Sequence, residues 1–222
     1  MTGPRLIMFD MDGTLIDSGA IILEHMEATF RDHGLPEPSR EMSHSVIGLS
    51  LELAMENLAA CDAETAMVMA GTYRKHYRAM LETGERHEPL YDGALNALDR
   101  LRGHDASILG IATGKGLHGV NRILALHGLT DRFATLQTPD HNPSKPHPGM
   151  LLRACAETGI DPEATVMIGD TTFDMELGRS AGARTIGVTW GYHPRLALEE
   201  AGADIIIDDY SELDGAIEKV LG

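Results

Sequence analysis

Leu6-Ile7-Met8-Phe9-Asp10-Met11-Asp12-Gly13-Thr14-Leu15 is the stretch on which the reading of this chain turns. Four consecutive apolar residues follow Arg5 and stop abruptly at Asp10. The run does not alternate with polar residues, so both of its faces are expected to be covered, as in a parallel sheet packed by helices. Asp12-Gly13 then reads as a turn. Working outward, similar short runs occur at Ile108–Ala112, Thr165–Ile168, Thr185–Val188 and Ile205–Ile207, with a weaker one at Phe133–Leu136. Helical patterns lie between them, at Ala94–Leu101, Val120–Leu126, Pro148–Glu157, Met175–Ser180 and Leu213–Val220. Strands alternating with helices predict an α/β fold, a doubly wound, Rossmann-like parallel sheet.

One interval breaks the alternation. Nearly a hundred residues from Asp10 to Ile108 contain no convincing strand, far more than the roughly dozen that a crossover needs. The excess reads as a helical insert over residues 16–87, leaving 1–15 and 88–222 as the α/β core. Ser18 is placed to cap the first inserted helix, whose apolar face carries Ile22, Met26 and Phe30, and Gly34 and Pro36 end it. A later helix carries Met69, Tyr73, Tyr77 and Leu81 at spacing four, the pattern of a small core belonging to the insert itself.

Composition narrows the function. The 222 residues carry 18 Lys and Arg against 34 Asp and Glu, a formal charge of −16. Such a surface disfavours nucleic acid and anionic lipid as partners. No apolar segment approaches the roughly 18 to 20 residues that span a membrane, and the run before Asp10 is too short for a signal peptide. Two cysteines, Cys61 and Cys155, make no disulfide framework, so a cytoplasmic location is expected. An anionic substrate would need local positive charge from a metal or a lysine.

Three strand runs end in an isolated polar residue: Asp10, Thr113 and Asp170. In an open parallel sheet the carboxyl ends of the strands line one crevice, so these three should meet there. Taken singly, each signal is weak. Asp170 and Asp174 alone read as a turn and a helix cap, and Lys145 alone as a solvated loop residue. Together they make a pattern. Asp10–Ser18, Thr113-Gly114-Lys115, Ser144-Lys145-Pro146 and Gly169-Asp170-Thr171-Thr172-Phe173-Asp174 resemble, in order and spacing, the four motifs of the haloacid dehalogenase-like (HAD) superfamily. An insert directly after the first motif resembles the helical cap of its phosphoglycolate phosphatase-like branch.

The resemblance implies a Mg²⁺-dependent hydrolase of small phosphomonoesters working through an aspartyl-phosphate. Asp10 would be the nucleophile. Asp12 would protonate the leaving group and then deprotonate water. Asp170 and Asp174 would hold Mg²⁺ with Asp10 and the Asp12 carbonyl, by analogy with the family. Thr113, Gly114 and Lys145 would bind the phosphate, and the Gly48-Leu49-Ser50 turn of the cap would select the substrate, a small phosphorylated metabolite. The basic run Arg74-Lys75-His76 is a weaker contributor and otherwise a solvated helix face.

Rival readings exist. Gly114-Lys115-Gly116-Leu117-His118-Gly119 matches Gly-x-Gly-x-x-Gly after a strand, but lacks a clear acidic partner at the next strand end. A β-phosphoglucomutase-like transferase or a pyrophosphatase would share the same four motifs. A phosphoacceptor receiver or phosphate-sensing module is the alternative from another class, yet it has no use for an acid at position 12. The particular ester and the oligomeric state stay open at the level of sequence.

Overall fold

The computed structural model describes residues 3–84 and 88–222. It comprises β1 (Arg5–Phe9), α1 (Gly19–Asp32), α2 (Arg40–His44), α3 (Leu51–Ala59), α4 (Ala63–Thr83), α5 (Ala94–Arg102), β2 (Ser107–Ala112) and α6 (Leu117–Leu126). There follow β3 (Thr135–Gln137), α7 (Gly149–Thr158), β4 (Thr165–Gly169), α8 (Thr172–Ala181), β5 (Arg184–Val188), α9 (Arg195–Ala201), β6 (Ile205–Ile207) and α10 (Leu213–Leu221). All six strands pair in parallel, in the order β3-β2-β1-β4-β5-β6. The chain winds outward through β2 and β3, then crosses back to place β4 on the other side of β1. The strand order reverses at β1, where such sheets bind ligands.

The unbroken apolar runs are explained by two cores. Ile7 and Phe9 of β1 face one layer with α5, α6 and α10, while Leu6 and Met8 face the other with α7 and α8. A third cluster belongs to the insert and joins Ile22, Met26 and Phe30 of α1 to Met55 of α3 and Met69 of α4. Phe173 and Tyr192, from outside the insert, pack against it, so this cluster also ties the cap to the sheet.

Several local readings differ from the sequence expectations. The third strand falls two residues later than Phe133–Leu136 predicts. Gln137 occupies it because its amide donates to Thr135 Oγ1 at 2.7 Å and to Glu157 Oε2 at 2.8 Å, so a polar residue is paired inside the sheet. The short α9 buries only Leu198 and offers no periodicity to read. Ser18 stands at the N-cap position of α1, but its hydroxyl makes no cap bond. It is used elsewhere, as described below.

The insert enters and leaves through adjacent strands of chain. Ile16 bridges Leu90, the Asp17 amide donates to Pro89 at 2.9 Å, and the Tyr91 amide donates to Leu15 at 3.0 Å. Ile16 packs in the larger core cluster. The expected boundary at 87 lies outside the described residues. Among those described, no helix is long and apolar enough to cross a membrane.

Candidate active site

Strand register brings the chemistry together. Phe9 lies level with Ile111 of β2 and Ile168 of β4, so Asp10, Thr113 and Asp170 emerge at the same edge of the sheet. All three are buried. Asp174 joins them from the first turn of α8, where its Oδ2 accepts from the Thr171 amide at 3.1 Å and the Thr171 hydroxyl at 2.7 Å. Carboxylate oxygens of Asp10, Asp170 and Asp174 lie within 4.8 Å of one another.

Three buried carboxylates this close repel, and one lysine opposes them. Lys145, in the loop after β3, is fully buried, with Nζ 2.5 Å from Asp174 Oδ1 and 3.1 Å from Asp10 Oδ1. Burial works against its charge, but Asp10 and Asp174 outweigh it and raise its pKa. Burial pushes the Asp10 carboxyl up to about 7; Lys145 opposes the shift, and Asp174 and Asp12 add to it. Burial also carries Asp170 well above the usual carboxylate range, with Asp10 and Asp174 adding repulsion.

This donor set fits a hard divalent cation. Asp10 Oδ1 accepts from the Met11 amide at 2.6 Å, whereas Asp10 Oδ2 is buried without any partner. Asp170 is held by neutral donors only, the Thr14 hydroxyl at 2.8 Å and the Tyr192 amide at 2.9 Å. Clustered anionic oxygens of this kind suit Mg²⁺. Two glycines make room for Asp170: a Cβ on Gly13 would lie 2.2 Å from its Oδ2, and one on Gly191 would lie 2.2 Å from its Cβ.

Asp12 stands apart from this trio. Its Oδ1 accepts from Ser18 Oγ at 2.6 Å, and Lys115 Nζ lies 3.1 Å from its Oδ2. Its side chain is therefore not a member of the carboxylate cluster, which leaves its backbone carbonyl for the ligand role that the resemblance implies. Thr113 is buried beside it, with its Oγ1 accepting from the Lys115 amide at 3.3 Å.

The cap lies directly over this edge. A Cβ on Gly114 would sit 2.2 Å from the Leu49 carbonyl oxygen and 2.6 Å from that of Gly48, so only glycine fits beneath the turn. Gly48 itself has φ +102°, and a Cβ there would lie 3.0 Å from Thr171 Oγ1. The Ser50 amide donates to Ser144 Oγ at 2.8 Å, next to Lys145. The expected Gly48-Leu49-Ser50 turn thus lies against Gly114, Thr171 and Ser144. Gly48 and Leu49 border the cavity, and Ser50 serves as a backbone anchor.

Cap and sheet enclose a cavity of about 590 Å³, bordered by Asp10, Asp12, Thr113 and Gly114. Its lining is apolar at Ile22, Met26, Val46 and Ala54 and aromatic or basic at Tyr73, Arg74, Tyr77, Arg78, Lys115 and His118. The Tyr73–Tyr77 portion of the α4 stripe therefore serves the cavity as well as the insert's core. Arg74 pairs with Glu52 at 2.5 Å and His76 with Asp32 at 2.9 Å, while Lys75 is exposed. Of the basic run, only Arg74 borders the cavity.

Sequence reasoning missed several participants. Lys115 was visible only as a motif letter, although a lone charge following Thr113-Gly114 at a strand end was a usable signal. Trp190 and Tyr210 clamp the first loop from the far side, donating to the Thr14 carbonyl at 3.0 Å and 2.8 Å. Buried Glu88 accepts from Tyr77 of α4 at 2.8 Å and pairs with Arg122 of α6. That contact joins cap, crossing segment and core, and no local pattern announces it.

Comparison with known proteins agrees with this geometry. The profile of the family described as "Haloacid dehalogenase-like hydrolase" matches residues 7–188. A protein of Dickeya dadantii named "Probable phosphatase IndB" is 34% identical over 97% of this chain and 94% of its own length. The N-acetylmuramic acid 6-phosphate phosphatase of Pseudomonas putida is 31% identical over 98% of this chain and 97% of its own. A solved structure described as a predicted phosphatase from Clostridium acetobutylicum superposes with a TM-score of 0.87 at 25% identity, covering 98% of this chain and 99% of that one. The chain belongs to the haloacid dehalogenase-like hydrolase family, among its phosphatases.

Proposed function

We propose that the protein is a Mg²⁺-dependent phosphomonoesterase that transfers the phosphoryl group to Asp10 and then to water. The observation that carries this reading is Asp10 Oδ2. It is a buried carboxylate oxygen without a partner, on a residue that borders the cavity and sits at the point where strand order reverses. A bound Mg²⁺, held by Asp10, Asp170, Asp174 and the Asp12 carbonyl, supplies charge compensation for the phosphoryl oxygens.

The chain's own groups divide the remaining work. Asp10 attacks phosphorus as the P–O bond to the leaving alcohol breaks. Asp12 donates its proton to that oxygen. In the second half it takes a proton from the water that attacks the aspartyl-phosphate. Thr113, the Gly114 amide and Lys145 hold the non-bridging oxygens. Residues 16–87 act as the cap that excludes water during these steps.

The cavity argues for a leaving group of about sugar size. A volume near 590 Å³ lies within the roughly 300–1,000 Å³ of ordinary small-molecule sites. One relative is named for a phosphorylated sugar acid, which agrees with that size. We place the enzyme in the cytoplasm, where such esters occur.

A screen of phosphorylated metabolites tests the reading. It should include sugar 6-phosphates, phosphoglycolate, pyrophosphate and β-glucose 1-phosphate. Sugar monoesters should rank first, EDTA should abolish activity and Mg²⁺ should restore it. Hydrolysis of an ester chiral at phosphorus should proceed with retention of configuration, the result of two successive in-line displacements through Asp10. Inversion would show direct attack by water, and full activity in metal-free enzyme would remove the metal from the scheme. Preferred turnover of pyrophosphate, or conversion of β-glucose 1-phosphate to the 6-phosphate, would reassign the reaction.

A further inference from the structure

Lys115 is a partly buried cation at this edge that the scheme above leaves without a task. Its side chain is only 15% exposed, it borders the cavity, and its Nζ lies 3.1 Å from Asp12 Oδ2. Ser18 holds the other oxygen at 2.6 Å. Asp12 is thus gripped from two directions, by the entry to the cap and by the loop after β2. It is not a member of the Asp10–Asp170–Asp174 trio.

The position of Lys115 is itself built by its surroundings. Its amide is anchored on Thr113 Oγ1 at 3.3 Å. Its stem lies across Gly119 in the first turns of α6, where a Cβ would come within 3.0 Å of Lys115 Cγ and 3.1 Å of Cδ. The Tyr77 ring of α4 stands 5.8 Å from the ammonium, a cation–π distance. The Gly-x-Gly-x-x-Gly pattern at 114–119 finds a physical explanation here. Gly114 admits the cap backbone and Gly119 admits the lysine stem.

We infer that Lys115 is a positioning residue that aims the Asp12 carboxyl at the leaving-group oxygen. The inference rests on the reading of Asp12 as the leaving-group acid. A general acid must stand within hydrogen-bond reach of the oxygen it protonates. Asp12 follows a strand end on a turn and has two free side-chain torsions, so without Lys115 only Ser18 restrains it. A rival role exists for the same ammonium, direct contact with the phosphate, and it makes different kinetic predictions.

The test uses the Mg²⁺-loaded enzyme and two esters of the same shape, 4-nitrophenyl phosphate and phenyl phosphate. Nitrophenolate departs without protonation, whereas phenolate needs it more. Asp12→Asn should therefore slow phenyl phosphate far more than 4-nitrophenyl phosphate. Lys115→Met should do the same in weaker form, with about a tenfold larger loss in kcat on phenyl phosphate, a fraction of what general acids contribute. KM and inhibition by inorganic phosphate should stay near wild type. Lys115→Arg should recover most of the loss, and adding Lys115→Met to Asp12→Asn should change little further.

Equal losses on both esters, weaker inhibition by phosphate, or losses that multiply in the double variant would overturn the role of Lys115 while leaving the Asp12 reading intact. If Asp12→Asn itself treats both esters alike, the acid assignment fails and the inference falls with it. Circular dichroism checks that Lys115→Met is folded. If it is not, Lys115→Gln, which removes the charge but keeps a donor, replaces it in the same measurements.

Discussion

Gly114→Ala is the sharpest probe of how closely the cap must seat on the sheet. The added methyl would lie 2.2 Å from the Leu49 carbonyl oxygen, 2.6 Å from that of Gly48 and 2.7 Å from the Leu49 carbonyl carbon. Real Cβ contacts do not fall below 3.0 Å, so the turn must retreat by at least about 0.8 Å. The obstructing atoms are backbone, and no side-chain rotamer can relieve the clash. Gly114 has no positive φ, so alanine is tolerated locally and the core should still fold. The retreat would loosen the Ser50 amide from Ser144 Oγ, a bond of 2.8 Å whose net contribution is about 1 kcal/mol. It would also move Leu49 relative to Asp10. Displacements near 1 Å can cost about 10²-fold in rate, equivalent to about 2.7 kcal/mol of barrier. The expected result is a folded protein with kcat/KM reduced by that order and faster amide exchange over residues 46–51. Wild-type kcat/KM and unchanged exchange in Gly114→Ala would refute the argument that cap and phosphate loop meet backbone to backbone.

Asp10→Asn should lower turnover by several orders of magnitude while leaving the fold intact, as steady-state kinetics and circular dichroism would show. In EDTA the folded-state pKa of Asp10, about 7, exceeds its ordinary 3.8. Its contribution to stability is therefore fully present below about pH 4 and lost as pH rises through 7. Denaturant melts across that range should show less of this fall in Asp10→Asn than in wild type; an identical fall would show that Asp10 is not its source. Lys145→Met strips the only cation from Asp10 and Asp174, so metal-free stability should drop by about 3 kcal/mol, with Mg²⁺ restoring part of it; an unchanged denaturation midpoint would contradict this. Gly71→Ala, in the interior of α4 with nothing within 4 Å of the new methyl, should raise stability by about 0.5–1 kcal/mol. A lower melting temperature there would mean that α4 packs differently.

The parallel sheet, its helices and the four carboxylates of the proposed site were legible because they rest on short-range signals. Buried strands must be apolar on both faces, so Leu6–Phe9, Ile108–Ala112 and Thr165–Ile168 announce themselves. Polar residues at their ends stand out against that background. Asp10, Asp12, Asp170 and Asp174 fall inside compact motifs, which the resemblance to the family makes readable. What was misread locally was polar residues whose partners are distant in sequence. Gln137 belongs to a strand because Glu157 of α7 receives its amide, and Ser18 leaves its helix uncapped because Asp12 takes its hydroxyl.

Periodicity along the chain therefore pointed to the fold class and to an inserted helical segment, and the resemblance of four short motifs pointed to the proposed set of carboxylates. Tertiary structure alone decided how those carboxylates are shared out. Asp10, Asp170 and Asp174 form one cluster with Lys145 against two of them, Asp10 and Asp174, whereas Asp12 is held by Ser18 and Lys115. It also decided that Gly114 is required by the Leu49 carbonyl, and that Glu88 joins Tyr77 to Arg122 across three parts of the chain. Each of these is a contact between side chain or backbone atoms far apart in sequence. The energies that select them, repulsion among buried charges and exclusion between backbones, exist only once the strands have been placed side by side and the cap has folded down upon them.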